Sequence, residues 1–206
     1  MNKYSCKSKI FELKKCPVHY DIEPGYLIPI GFDYRTRLPD CVKLLTRWRI
    51  ENPSLSPARF PVSEERTEKW LRKSILDNEF RVMFMIKNSE NKSVGHIGLS
   101  QMDFLRSSVR IDSVMKGVKN DSPGIMQRAI EYLKVWCRDI LEADYADLVV
   151  LNDNVRAINL YHRCGFIDDR LIPLKRVDDN GEINWIEDEN IVDPEKSYLH
   201  MVCALL

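Results

Sequence analysis

Hydrophobic and polar residues alternate in several short stretches of the chain, and this period of two predicts β-strands. In the stretch 108–116, for example, apolar side chains stand at Val109 and Ile111, and a charged one follows each of them. Short turns join three consecutive stretches, which predicts an antiparallel meander. The predicted strands cover residues 26–30, 80–86, 93–102, 108–116, 147–151, 166–174 and 198–205.

Apolar residues at spacings of three and four predict four helices elsewhere in the chain. The strongest pattern runs from Ile125 to about Ile140. Another helix covers residues 154–163 and ends before Gly165, since glycine is typical of the position after a helix. The remaining two begin near Asp40 and Ser63, whose side chains are of the type that caps helix N-termini.

The predicted elements follow the order β-α-α-β-β-β-α-β-α-β-β. This order predicts an α/β fold of the α+β kind, in which helices flank a mixed, mostly antiparallel central sheet. Residues 1–25 are only weakly periodic and contain Pro17 and a Pro24–Gly25 turn. We therefore expect an N-terminal extension over residues 1–25 and one domain over residues 26–206.

Composition narrows the functional classes. The 206 residues include 31 basic and 31 acidic side chains, so the net charge is zero and does not favour nucleic-acid binding. No apolar run approaches the roughly 20 residues of a membrane span, and the N-terminus lacks the apolar segment of a signal peptide. Six scattered cysteines, without C-x-x-C pairs or zinc-ligand spacing, predict free thiols in a reducing cytoplasm and no metal site.

A loop that leads into a helix is the first candidate for chemistry. Residues 120–125 connect the predicted strand 108–116 to the helix that begins at Ile125. Free backbone N–H groups and the helix dipole favour the binding of phosphate at the start of a helix, and Gly124 lets a ligand approach the backbone closely. The spacing is neither that of a Walker A loop nor G-x-G-x-x-G. By itself the segment is more typical of an ordinary helix start.

The helix over residues 154–163 carries the second candidate. Asn154 is placed to cap this helix, and Ala157 and Tyr161 fall on one face because they are four residues apart. From the pattern alone, a tyrosine on such a face is more often a core residue with a hydrated hydroxyl than a catalytic group.

The pattern Asn154-x-x-Ala157-x-x-x-Tyr161-x-x-x-Gly165-Phe166 resembles the C-terminal signature of the GNAT superfamily of N-acetyltransferases. It follows a strand–loop–helix unit at the separation found in that superfamily, and the element order is similar over residues 26–206. The resemblance implies the GNAT fold, in which strands 4 and 5 of the sheet splay apart, and an N-acyltransferase activity. It also implies acetyl-CoA, or another acyl-CoA, as the co-substrate.

Further segments are similar to particular GNAT branches. The loop 117–126 resembles a branch tied to bacterial surface-sugar biosynthesis, and residues 45–49 and 94–98 resemble segments of sugar and terminal-amine acetyltransferases. The loop departs from the usual pyrophosphate motif, Gln/Arg-x-x-Gly-x-Gly/Ala, because Pro123 and Gly124 replace its glycine pattern.

The resemblance assigns roles to residues of this chain. Tyr161 would protonate the leaving thiolate as a general acid, and Asn154 and Ala157 would lie against the acyl donor. The strand residues that would pair with the pantetheine arm are Val114, Met115 and Lys116. The loop residues that would bind the pyrophosphate are Asn120, Ser122, Pro123, Gly124, Ile125 and Met126.

The acceptor amine must lose a proton when it attacks the thioester, and Asp112 and His96 are the candidate bases. Each has a plainer interpretation, Asp112 as a solvated strand residue and His96 as a buried, hydrogen-bonded histidine. Arg49 and Arg110 are candidates for binding an anionic group of the substrate, although the pattern is more typical of an ordinary surface charge for each arginine.

Three functions remain open. The first is acylation of a small-molecule amine, in particular a nucleotide-linked amino sugar. The second is acetylation of a peptide or protein terminus, and the third is a non-catalytic module that binds acyl-CoA. The extension over residues 1–25 and the segment 175–195 are candidates for an acceptor pocket or a homodimer contact.

Overall fold

The computed structural model describes residues 1–206 and contains six α-helices and nine β-strands. The helices are α1 (Lys3–Lys15), α2 (Tyr34–Arg37), α3 (Cys41–Glu51), α4 (Glu64–Trp70), α5 (Ile125–Asp139) and α6 (Val155–Arg163). A 3₁₀ turn (Pro53–Leu55) follows α3, and a π-helical turn (Leu71–Leu76) continues α4. The strands are β1 (Tyr20–Asp21), β2 (Gly25–Pro29), β3 (Val82–Asn88), β4 (Ser93–Asp103), β5 (Ser108–Lys116), β6 (Tyr145–Leu151), β7 (Ile167–Asp179), β8 (Glu182–Glu187) and β9 (Lys196–Ala204).

All nine strands join one sheet, in the order β1-β2-β3-β4-β5-β6-β9-β7-β8. Every neighbouring pair is antiparallel except β5 and β6, which run parallel. The prediction of a mixed, mostly antiparallel sheet flanked by helices is confirmed.

The two parallel strands separate soon after they begin. Ser108–Arg110 of β5 pair with Tyr145–Asp147 of β6, and no pairing follows. Yet β5 continues to Lys116 and β6 to Leu151. The predicted splay of strands 4 and 5 is therefore confirmed, and these strands are β5 and β6 here because the short strand β1 precedes them.

A β-bulge bends β5 beside this opening. Ser113 and Val114 together stand opposite the single residue Ile97 of β4. Ser113 takes a left-handed backbone conformation, with φ of 50°, which is foreign to a regular strand. The bulge takes backbone groups of β5 out of the regular ladder with β4, a few residues beyond the last residue of β5 that pairs with β6.

Two apolar cores lie on opposite faces of the sheet. Val82 and Phe84 of β3 belong to the larger core, which α1 and α5 cover. The alternate residues Met83 and Met85 belong to a smaller core under α3 and the π-helical turn. The period of two in β3 thus explains how one strand serves both layers.

Residues 1–25 contain a helix that the sequence analysis did not predict. In α1, Cys6, Ile10 and Leu13 are buried in the larger core. Two other apolar residues of the helix, Tyr4 and Phe11, are exposed. They obscure the apolar face of the helix in the sequence pattern, because apolar side chains then occur on both faces.

Lys14, at the end of α1, is only 2% exposed. Its ammonium donates hydrogen bonds to the backbone carbonyls of Ile75 (2.7 Å), Leu76 (3.1 Å) and Asn78 (2.5 Å). These carbonyls lie at the end of the π-helical turn, where no further turn satisfies them. Burial lowers the pKa of Lys14 to about 8. Lys14 therefore ties the N-terminal helix to the helix layer on the other face of the sheet.

The predicted boundaries differ from the observed ones at the C-terminal end of the chain. Strand β7 extends to Asp179, and Glu182–Glu187 form β8, for which no strand was predicted. Both strands of this hairpin carry many exposed charged residues, so no apolar alternation marks them. Helix α5 ends at Asp139, and Ile140 is 39% exposed. None of the helices has the length and the apolar content that a membrane span needs.

Candidate functional site

A cavity of about 710 Å³ opens where β5 and β6 separate. Its walls come from the bulged part of β5, the end of β6, one face of α6, and the α3–α4 region. The residues that line it are Leu45, Arg49, Leu55, Ser56, Phe60, Val62, Arg66, Thr67, Trp70, His96, Ile111, Asp112, Ser113, Val114, Met115, Val149, Val150, Leu151, Asn154, Ala157, Tyr161, Glu182 and Tyr198.

The cavity brings together half of the residues that the sequence analysis singled out. Those that line it are Arg49, His96, Asp112, Val114, Met115, Asn154, Ala157 and Tyr161. The predicted residues that lie outside it are Lys116, Arg110, Asn120, Ser122, Pro123, Gly124, Ile125 and Met126.

Tyr161 projects from α6 toward the cavity and is 6% exposed. Its ring packs edge-on against Phe166, with the ring centroids 6.2 Å apart. Burial raises the pKa of Tyr161 well above its ordinary value. The hydroxyl therefore stays protonated at neutral pH, as a proton donor requires.

The start of α6 is fixed by Asn154. Its side-chain oxygen accepts a hydrogen bond from the backbone N–H of Ala157, at 3.2 Å. This is the N-cap contact that the sequence predicts. Because the cap fixes the first turn of α6, it also fixes the direction in which Tyr161 projects, two turns further on.

His96, on β4, is buried against the bulge. Its Nδ1 lies 2.6 Å from the backbone oxygen of Ser113 and must therefore carry the proton, since a carbonyl can only accept. The ring stacks on Trp48 at 6.1 Å. Burial lowers the pKa of His96 to about 4, against the opposing effect of the Ser113 hydrogen bond. His96 is thus a neutral imidazole whose Nε2 can accept a proton.

Asp112 lies on β5 with one carboxylate oxygen 2.8 Å from the guanidinium of Arg81. Its other oxygen, Oδ1, is buried without a hydrogen-bond partner. Arg81 was not singled out in the sequence, because it precedes β3 and meets Asp112 only through the pairing of β3, β4 and β5. Asp112 is therefore a paired carboxylate at the cavity wall rather than a solvated strand residue.

Arg110 does not reach the cavity. Its Nε donates to Asp147 of β6, at 2.5 Å. Asp147 also accepts from the hydroxyl of Ser108 (3.1 Å) and faces His200 (3.4 Å). Arg110 thus belongs to a charge network where β5 and β6 pair, and its proposed role in binding substrate has no support in this placement.

The loop before α5 adopts an unusual backbone conformation. Asn120, Ser122 and Gly124 have positive φ values of 62°, 44° and 81°. Asp121 accepts hydrogen bonds from Ser122 (2.5 Å) and from Asn88 (3.1 Å), and these bonds lower its pKa. The loop is thereby held against the β3–β4 turn.

Two of the loop residues that were predicted to bind pyrophosphate can offer only backbone groups to it. The side chains of Ile125 and Met126 are buried in the larger core, so only their backbone can face a ligand. At the helix start, Gly124 makes no side-chain cap, and a Cβ there would meet no atom within 4 Å. The N–H of Ile125 donates to the backbone oxygen of Ser122, at 3.2 Å. The next two N–H groups of α5, those of Met126 and Gln127, make no backbone hydrogen bond and are open to an anion.

Several residues of the cavity were missed by the sequence analysis because distant segments bring them together. Above the cavity, Arg59 and Ile183 form two backbone hydrogen bonds of 2.8 Å. Beside them, Arg66 of α4 donates to Glu182 of β8, at 2.7 Å. The segment 53–62 and the β7–β8 hairpin thus meet as a roof, and no local sequence signal marks that contact.

We expect the fold to lose stability as the pH falls from about 6.5 to about 4, because the unfolded chain then binds a proton at His96 that the folded chain does not. The fall of the His96 pKa from 6.5 to about 4 on folding corresponds to a loss of about 3 kcal/mol of unfolding free energy over this pH range. Urea unfolding of the wild type and of His96→Gln, near pH 7 and near pH 4.5, measures this contribution. The variant should show the smaller pH dependence, and an equal dependence in both proteins would contradict the assignment.

The described chain contains no group of three or more His, Cys, Asp or Glu side chains arranged to hold a metal ion. All six cysteines are free.

Comparison with known proteins gives both a family and a fold. The profile described as the acetyltransferase (GNAT) family matches residues 45–166. No curated protein sequence matches the chain.

Solved structures with a similar fold include spermidine N-acetyltransferase from Vibrio cholerae. A point mutant of it has a TM-score of 0.63 and 15% identity, over 87% of this chain and 94% of that one. Its complex with CoA and spermine has a TM-score of 0.59 and 16% identity, over 88% and 96%. Its dodecameric intermediate state has a TM-score of 0.60 and 13% identity, over 88% and 94%. At these identities the likeness concerns the fold.

Proposed function

Because the chain belongs to the acetyltransferase (GNAT) family, whose acyl donor is acetyl-CoA, we propose that it acetylates the primary amine of a small molecule in the cavity between β5 and β6, with Tyr161 as general acid. The observation that carries this proposal is the protonated, buried Tyr161 hydroxyl beside the opening of the sheet. Family membership makes the chain an acetyltransferase, so the alternative of a non-catalytic binding module falls away.

The donor would lie in the opening of the sheet. Val114 and Met115 line the cavity, and beyond Arg110 the strand β5 has no partner in β6. Their backbone is therefore available to the pantetheine arm. The open N–H groups at the start of α5, next to Gly124, suit the pyrophosphate.

The reaction would proceed by direct attack of the neutral amine on the thioester carbonyl. The backbone N–H groups that the bulge at Ser113 and Val114 releases would polarise that carbonyl. A new C–N bond forms while the C–S bond breaks, and Tyr161 gives its proton to the leaving thiolate. The attacking nitrogen gives up a proton to His96 or to water.

His96 is the better of the two candidate bases. Its Nε2 makes no hydrogen bond within the chain and is free to accept a proton from the amine. One carboxylate oxygen of Asp112 already accepts a hydrogen bond from Arg81, at 2.8 Å. This contact makes the carboxylate less available to take a proton from the amine. We assign Asp112 to orienting the incoming ammonium group.

For the acceptor we favour a nucleotide-linked amino sugar. The roof formed by the segment 53–62 and the β7–β8 hairpin leaves room for a small molecule and disfavours a folded protein terminus. A polyamine is the second candidate, since a protein of the same fold has been solved with spermine bound.

Release of thiol from acetyl-CoA, followed with a panel of amines, tests the proposal. The panel contains nucleotide-linked amino sugars, spermidine and short peptides, and the acetylated product is identified by mass spectrometry. We expect turnover with at least one small-molecule amine. Turnover of peptides alone, or CoA binding with no turnover of any amine, would contradict the proposal.

A further inference from the structure

Arg49 is the one charged residue of the cavity wall without an ion-pair partner. The four charged residues that line the cavity are Arg49, Arg66, Asp112 and Glu182. Two of them pair with each other, since Arg66 contacts Glu182 at 2.7 Å. Asp112 pairs with Arg81, which lies behind the wall, at 2.8 Å. One positive charge is left over, and it faces the cavity.

The surroundings of Arg49 leave most of its donors free. Its only hydrogen bond runs from Nη2 to the backbone oxygen of Ala58, at 3.1 Å. The guanidinium lies over the ring of Phe60, 5.4 Å from the centroid, and Arg66 lies over the same ring at 5.8 Å. Partial burial, together with the nearby charge of Arg59, lowers the pKa of Arg49. Such a cation is poorly solvated and gains from an anionic partner.

We propose that the acceptor amine carries a phosphate group that Arg49 binds, and that its planar or apolar part packs against Phe60 and Trp70. The inference rests on the proposed function, because it places both groups in the same cavity as the reacting amine. A guanidinium offers two parallel N–H donors to a phosphate, which matches the free donors of Arg49. Aromatic side chains beside it suit a ring such as a nucleotide base.

The same arrangement disfavours polyamines. A polyamine carries several ammonium groups and needs carboxylates to receive them. Asp112 is assigned to the reacting amine, and the other carboxylate of the cavity, Glu182, already pairs with Arg66. No carboxylate is left for a second ammonium group, and the unpaired Arg49 would repel it. A phosphorylated amine and a polyamine should therefore differ strongly as acceptors.

A binding experiment tests the phosphate site independently of catalysis. Uridine monophosphate is titrated calorimetrically into the full-length protein saturated with CoA, so that the donor site is already filled. Arg49→Gln should weaken the binding of uridine monophosphate by at least about tenfold. Arg47→Gln is the matched control, since Arg47 lies on the same helix, exposed and paired with Glu51, and it should bind like the wild type. Equal binding by wild type and Arg49→Gln, or no binding by the wild type, overturns the proposal.

An activity experiment separates this inference from the proposed function. Glucosamine, glucosamine 1-phosphate and spermidine are compared as acceptors of the wild type, Arg49→Gln and Arg49→Lys. We expect the phosphorylated sugar to have the highest kcat/KM, mainly through a lower KM, and Arg49→Lys to retain part of the advantage that Arg49→Gln loses. Faster turnover of spermidine, unaffected by Arg49→Gln, overturns the phosphate site and leaves the acetyltransferase proposal standing. Binding of uridine monophosphate that depends on Arg49, without turnover of any amine, overturns the acetyltransferase proposal and leaves the phosphate site standing.

Discussion

Replacement of Tyr161 by phenylalanine is expected to lower kcat by about 100- to 1000-fold, while the KM for acetyl-CoA stays nearly unchanged. The variant keeps the buried ring and its edge-on contact with Phe166, so the fold is preserved. It loses only the hydroxyl that we propose as the proton donor to the thiolate. Steady-state kinetics with the acceptor found in the panel measures the effect, and thermal unfolding checks that the variant is folded.

The matched control for Tyr161 is Tyr198, which lies on β9 and lines the same cavity. Tyr198→Phe should change kcat by no more than a few-fold, because Tyr198 has no assigned part in proton transfer. Burial raises the pKa of Tyr161, so its ionisation should cause no loss of activity below about pH 10. Equal kcat values for Tyr161→Phe and the wild type would show that water or another group protonates the thiolate.

Replacement of Trp48 by alanine should lower the free energy of unfolding by about 3–5 kcal/mol. Trp48 is completely buried in the smaller core. Its ring lies so close to the backbone of Gly117 that a Cβ there would come within 2.1 Å of it. The indole N–H has no hydrogen-bond partner, so packing accounts for the loss. Urea unfolding followed by circular dichroism gives the difference in free energy.

The control for this substitution is Trp70→Ala, because Trp70 is partly exposed at the cavity wall. We expect it to cost no more than about 1–2 kcal/mol. Trp48→Ala should also return the pKa of His96 toward its ordinary value, since the stacked ring no longer excludes water. A cost for Trp48→Ala as small as that for Trp70→Ala would contradict the packing described here.

The two arginines that were candidates for binding substrate show why residue patterns alone could not place every site residue. Arg49 and Arg110 looked equivalent in the sequence, since each was a charge near a predicted element. Folding places Arg49 at the cavity and Arg110 beside Asp147. The placement of Arg110 depends on which strand pairs with β5, and that of Arg49 depends on the packing of α3 in the smaller core. No periodicity within one element encodes either placement.

By itself, the sequence determined the elements whose signals are local. The meander of β3, β4 and β5 follows from alternation and short turns, and α6 follows from the cap at Asn154 and the stop at Gly165. The placement of Tyr161 on the face of α6 that lines the cavity was therefore predictable, because a helix fixes which residues share a face.

Only the tertiary structure decided the rest. Helix α1 reads as weakly periodic, yet three of its side chains enter the larger core and Lys14 binds carbonyls about 60 residues away. The roof depends on Arg66 meeting Glu182, and the state of Asp112 depends on Arg81. These contacts join residues far apart in the chain, and they can form only after the sheet has brought those residues together. Local patterns fix where elements begin and end, while packing and charge between distant elements fix what the cavity can bind.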